Sequence, residues 1–253
     1  MGKAVVLVGL GGGLYNGLTG FVNWIGNQTD VERVMLIDPD TIEERNGVRQ
    51  WRRNVGGDKV DEADRLMDEL GLGKSSLIWN NRFEDVVGLD DELLRYEEVV
   101  VIETVDNHMC RVAVYDWVVK LAQDKLKVTY VTGGNDVEGG YAAGMVITPT
   151  EGGSIGWTEE SGMNQCRFNG VGLECKGNLR LTRPDIWEEA EREARHEADV
   201  AAGQGCQMTV GEQSSMTNMM TAWCKLWLLR QGGAGEVVWN WIDGKAVVIP
   251  RIK

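Results

Sequence analysis

Short apolar runs alternate with amphipathic stretches through the first half of the chain. KAVVLVG, residues 3–9, is a β-branched run closed by glycine and reads as a buried strand. GLGGGLYNGLTGFVNWIG follows as a glycine-rich turn opening a helix, and VERVMLIDPD reads as a second strand. Within residues 57–70, GDKVDEADRLMDEL, the positions Val60, Ala63, Leu66, Met67 and Leu70 fall at helical spacing. SSLIWNNRF is a candidate third strand. DDELLRYEEVVVIETVDN reads as a short helix and then the strand Val99–Ile102. HMCRVAVYDWVVKLAQDK is an amphipathic helix and LKVTYVTGG the next strand. This rhythm predicts an α/β fold: a Rossmann-like, mostly parallel sheet with helices on both faces.

The rhythm breaks near residue 150. Residues 150–184 are rich in Gly, Asn and polar side chains and read as irregular crossing loops. PDIWEEAEREARHEADVAA has acid–base pairs at helical spacing and Pro184 near its start, so it reads as a solvated surface helix. SMTNMMTAWCKLWLLR sets Met219, Trp223, Leu226 and Trp227 on one stripe, a core or dimer-interface pattern. EVVWNWIDGKAVVIPRI is two strand-like runs about Asp243-Gly244, a C-terminal β-hairpin. One continuous domain over residues 1–253 is the simplest organisation.

Composition narrows the functional classes. The formal net charge of −13 argues against binding a phosphate backbone, so no nucleic-acid partner is expected. No run reaches the ~18–20 apolar residues of a membrane span, and MGKAVVLVGL lacks the build of a signal peptide, so a cytoplasmic protein with no membrane partner is expected. The five cysteines, Cys110, Cys166, Cys175, Cys206 and Cys224, contain no CxxC pair. With only His108 and His196, a His-centred triad is not expected.

Three stretches carry chemistry. Gly9, Gly11, Gly12 and Gly13 follow a strand and open a helix, where backbone N–H groups favour an anion. Asp38 ends the second strand, where a carboxylate can accept ribose hydroxyls. Beyond it come Asn46, Arg49 and Gln50, and Lys59 at a helix start. Arg and Lys only donate, which suits phosphate oxygens, and a departing pyrophosphate needs such neutralisation. An NAD site does not require them. Finally VVVIETVDN delivers Asp106 to the end of a buried strand, where it can hold Mg²⁺ or cap the following helix; Glu103 is a second candidate.

The set GLGGG, DPDTIEERNGVRQ, GGDKVDEADRL and ETVDN, in that order, resembles the ThiF/MoeB/ubiquitin-activating superfamily over residues 4–111, with a looser collinear match to the end. Members of that family use ATP and Mg²⁺ to adenylate the C-terminal glycine of a ubiquitin-like or sulfur-carrier protein. The resemblance implies a single domain with a nucleotide-binding core at 1–150, a crossing-loop region at 151–206, and a core helix and hairpin at 207–253. It implies that Gly9 to Gly13 contact ATP phosphates, Asp38 the ribose, Asn46, Arg49 and Lys59 the phosphates, and Asp106 the magnesium. Arg49, Lys59 and Asp106 are thereby the expected catalytic residues. Cys206 stands where some members carry a nucleophile that forms a thioester. A homodimer is implied as well. Three departures stand out: Leu14 replaces a small residue, the zinc CxxC pairs are missing so no zinc is expected, and the N-terminal arginine arm is not present, with Arg52 and Arg53 as nearby substitutes. An NAD-dependent oxidoreductase and a non-catalytic nucleotide-binding scaffold are the alternatives.

Overall fold

The computed structural model describes residues 2–44, 46, 54–124, 126–135, 139–150, 164–168, 171–177, 179–201, 215–242 and 245–251. Its first half builds the parallel part of one sheet from β1 (Lys3–Val8), β2 (Val31–Ile37), β3 (Ser75–Trp79), β4 (Glu98–Glu103) and β5 (Lys127–Asn135). These lie in the order β3-β2-β1-β4-β5, every neighbour parallel. β1 and β4 are buried on both faces, which is why both read as unbroken apolar runs rather than alternating ones.

Helices cover both faces. The connections α1 (Gly12–Tyr15), α2 (Leu18–Gly26) and α3 (Lys59–Glu69) share one face with α8 (Ser215–Arg230). On the other lie α4 (Leu89–Leu93), α5 (His108–Gln123) and α6 (Leu179–Thr182). Strand residues divide accordingly: Val5 and Leu7 join the first core, while Ala4, Val6 and Val8 join the second. The doubly wound α/β architecture expected from the apolar rhythm is what the chain forms.

The antiparallel half is larger than expected. β6 (Gly139–Thr150), β9 (Gly235–Ile242) and β10 (Lys245–Arg251) extend the sheet beyond β5 by antiparallel pairing. The β9–β10 pair is the expected C-terminal hairpin. The stretch read as irregular loops instead contains β7 (Asn164–Phe168) and β8 (Val171–Lys176), with β8 pairing β6 and β7. Long-range pairing to β6 overrides the loop-like composition there. The charged helix α7 (Asp185–Ala201) is not solvated all round. It buries Ile186 and Ala190, sets Trp187 edge-on to Tyr115 at 4.9 Å, and packs along α5. No helix among the described residues is long and apolar enough to cross a membrane.

Candidate functional site

The ends of β1, β2 and β4 meet on one edge of the sheet, beside the point where the strand order reverses. Open α/β sheets take ligands at that place. β1 ends in Gly9, whose φ of 78° a side chain would resist. A Cβ at Gly9 would lie 2.9 Å from the Val105 backbone nitrogen, so glycine lets the β4 loop cross directly over β1. The Thr104 hydroxyl donates to the Gly9 carbonyl and locks the crossing. Gly11 then caps α1, which lasts one turn before the chain restarts at α2. Leu14 is buried in the core under the loop, which accounts for an apolar residue at that position.

Asp38 sits just past β2 and is 4% exposed. Its Oδ2 accepts the Leu10 N–H of the glycine loop at 2.5 Å, and its Oδ1 accepts the Asp40 N–H at 2.9 Å. Burial pushes its carboxyl above the ordinary value, opposed by the Lys59 charge. Asp38 therefore splints the glycine loop to the end of β2. Each oxygen retains acceptor capacity for a sugar hydroxyl.

Lys59 is buried, at the first position of α3. Its Nζ lies 2.5 Å from Asp40 Oδ2 and 3.8 Å from Asp38 Oδ1. A cation at a helix N-terminus opposes the helix dipole, and burial adds a desolvation cost; such local conflicts mark functional positions. A small backbone clip brings the lysine there. Ile42 N–H donates to Gly57 O and Gly56 N–H to Ile42 O, both at 2.8 Å, and Lys59 N–H donates to Asp40 O at 3.0 Å. The clip closes the root of the segment that carries Asn46 and Arg49. Asn46 is buried, and its Oδ1 accepts the Glu43 N–H at 2.8 Å, shaping the turn. Arg49, Gln50, Arg52 and Arg53 lie outside the described residues.

Asp106 is exposed at the end of the β4 loop, next to the crossing over Gly9. Capping of α5 falls to its neighbour: Asn107 Oδ1 accepts the Cys110 N–H at 2.7 Å. Asp106 is thus spared for another role. Asp38 is tied to both the glycine loop and Lys59, with Asp40 as an added partner that motif spacing did not single out, and Asp106 follows the loop that crosses Gly9. No group of three or more His, Cys, Asp or Glu side chains able to hold a metal occurs among the described residues. One carboxylate still fits Mg²⁺, which is commonly held by one or two carboxylates together with substrate phosphates.

Glu103, the last residue of β4, is fully buried. Its carboxylate accepts the Val105 N–H at 2.9 Å, the Tyr130 hydroxyl at 3.0 Å and the Thr132 hydroxyl. Arg111 Nε lies 3.6 Å from it, while the Arg111 Nη2 donates to Val105 O at 2.7 Å. Lys225 of α8, also buried, donates to the Glu103 carbonyl at 2.6 Å. Burial pulls its ammonium down to about 7, opposed by the Glu103 charge. From α7, Glu193 caps α5, accepting the His108 and Met109 N–H groups at 2.7 and 2.9 Å. Sequence spacing pointed to none of Arg111, Glu193 and Lys225.

Cys206 lies outside the described residues. Burial pushes the Cys110 thiol up to about 12 and the Cys224 thiol up to about 11, which leaves neither suited to nucleophilic work. A hollow of about 520 Å³ lined by Lys3, Trp24, Glu98, Lys127 and Arg230 lies at the opposite edge, where β1, β4 and β5 begin. It shares no residue with the site.

No family model matches the sequence, and no curated protein matches it significantly. Solved structures do match. A crystal structure of PaaA superposes with a TM-score of 0.54 at 16% identity, covering 98% of this chain and 72% of that one. Escherichia coli MccB gives 0.50 at 14%, covering 99% and 62%. MccB with ATP gives 0.50 at 14%, covering 99% and 64%. The chain thus spans under two thirds of the length of MccB. What it has in common with PaaA and MccB, at such identity, is the fold.

Proposed function

We propose that this chain is an ATP-dependent adenylyltransferase that activates the C-terminal carboxylate of a peptide or small protein. The observation that carries this reading is the buried Lys59, held by Asp40 beside Asp38 and the glycine loop. A desolvated cation there is of little use to a nicotinamide dinucleotide but suits the phosphates of a triphosphate. The fold shared with MccB, solved with ATP and also with AMPCPP and MccA, supports the same reading, as does the motif order that resembles the ThiF/MoeB/ubiquitin-activating superfamily.

In this mechanism Asp38 accepts the ribose hydroxyls and the glycine loop seats the phosphates. The substrate carboxylate attacks the α-phosphorus; a P–O bond forms to the carboxylate and the bond to the β-phosphate oxygen breaks. Lys59, with Arg49, neutralises the leaving pyrophosphate. Asp106 would hold Mg²⁺, which supplies further charge neutralisation when bound. Cys206 is the candidate for a second step, in which its thiolate attacks the acyl carbon and AMP departs. The acceptor proposed from the motifs is a ubiquitin-like or sulfur-carrier protein ending in glycine; the MccB structures with MccA extend the candidates to peptides. A homodimer is also proposed, with the outward side of α8, where Met216, Met219 and Trp223 are exposed, as its contact.

The test is ATP–pyrophosphate exchange with peptides and small proteins bearing a free or an amidated C-terminus. Exchange with the free carboxylate alone is expected. A chain that binds NAD in place of ATP, or shows neither ATP binding nor exchange, overturns the proposal.

A further inference from the structure

The helix α8 carries a buried polar stripe through an otherwise apolar core: Thr217, Asn218, Thr221 and Lys225. Three of the four have a partner. Thr217 Oγ1 accepts from Asn135 Nδ2 at 3.1 Å, Thr221 Oγ1 from Trp239 Nε1 at 3.2 Å, and Lys225 donates to Glu103 O at 2.6 Å. The exception is Asn218. It is 1% exposed, and its Nδ2 has no hydrogen-bond partner among the described residues. An unmade bond from a buried amide is costly, and native chains rarely leave one without a reason.

The amide lies against the glycine loop. A Cβ on Gly12 would stand 2.5 Å from Asn218 Nδ2, so only glycine at 12 admits the amide. Along the same flank a Cβ on Gly17 would stand 2.5 Å from Ala222 Cβ. α1 and α2 therefore run beside α8 in the same direction, and the first turns of α1 and α8 end at the same sheet edge. The unpaired donor and the glycine turn meet there, in the first turn of α8.

We propose that Asn218 is a nucleotide-contacting residue: its Nδ2 donates to a phosphate oxygen of ATP seated on the glycine loop. This rests on the ATP reading above. The donor lies against Gly12, so a phosphate seated on that turn is the anion placed to meet it. Asn218 is thereby held unsatisfied until an anionic oxygen arrives. On this account Gly12 is small because it must let a side chain from α8 through.

The test uses the full chain, ATP and adenosine. Asn218→Leu and Asn218→Ala are expected to bind ATP about tenfold or more weakly, the loss of one hydrogen bond to a charged group. Adenosine affinity is expected to be unchanged. The ligand-free Tm of at least one variant should hold or rise, because an unpaired buried amide has been removed. Equal ATP affinity in wild type and variants overturns the proposal while leaving the ATP reading intact. So does an equal loss for adenosine, or a ligand-free Tm that falls in both variants in step with affinity. A wild type that binds no ATP overturns both.

Discussion

Two buried charge clusters flank the end of the central strands, and they are built differently. At β2, Asp38 and Lys59 lie beside Asp40, whose carboxylate is 62% exposed, so one side of the cluster opens to solvent. At β4, Glu103, Arg111 and Lys225 are all sealed, and each is tied to the backbone of a strand or its loop. In the proposed mechanism the first cluster keeps a cation within reach of a ligand. The second uses charge to pin the loop that carries Asp106. The contrast is one of access: an ion pair open to solvent on one side can meet a ligand, and a sealed one can only hold the fold.

The largest expected effect is on the sealed side. Glu103→Ala strips Arg111 and Lys225 of their shared anion, and a loss of ~3–5 kcal/mol in denaturant unfolding is expected. On the open side the effect falls on chemistry instead. Lys59→Met should lower ATP–pyrophosphate exchange ~100-fold or more with little change in Tm; a large fall in Tm with unchanged exchange would reverse the two roles.

Next comes a pH effect from Lys225. Its folded pKa of about 7 lies below the ordinary lysine value of 10.5. The unfolded chain therefore binds more protons between those limits, and stability should rise with pH across that window. Below it both states are charged and the penalty, on the order of a few kcal/mol, is fully present. Lys225→Met should flatten the rise in Tm from about pH 7 to 10. A slope that survives the substitution assigns the titration elsewhere. The smallest effect belongs to Asp40→Ala. This exposed partner only orients Lys59, so KM for ATP should change by about fivefold or less.

The parallel half was legible because each strand and helix there is a local pattern: KAVVLVG and EVVVIE are buried on both faces and say so in sequence. β6, β7 and β8 were not, because their glycines, Asn164 and Pro149 weaken the strand signal, and the pairings that join them to the rest of the sheet, β8 to β6 and β9 to β6, are between residues distant in sequence. At the candidate site, the positions of Asp38 and Asp106 just past strand ends and of Lys59 at a helix start were legible from order and spacing. Asp40 was not, since its tie to Lys59 exists only once the clip has closed. The α8 stripe left a readable trace. Asn218, Thr221 and Lys225 recur three or four residues apart, which an apolar helix does not require. What they touch could come only from the fold.

The clip between Ile42 and Gly56–Gly57 has a consequence for how such a chain diversifies. It is made of main-chain bonds, so it does not depend on which side chains lie between its arms. The segment it subtends can be lengthened while Lys59 stays in place, and each doubling of its length costs only ~0.6 kcal/mol in closure entropy. The clip thus separates the position of Lys59 from the length of that segment, while the roles proposed for Asn46 and Arg49 still restrict which residues it carries.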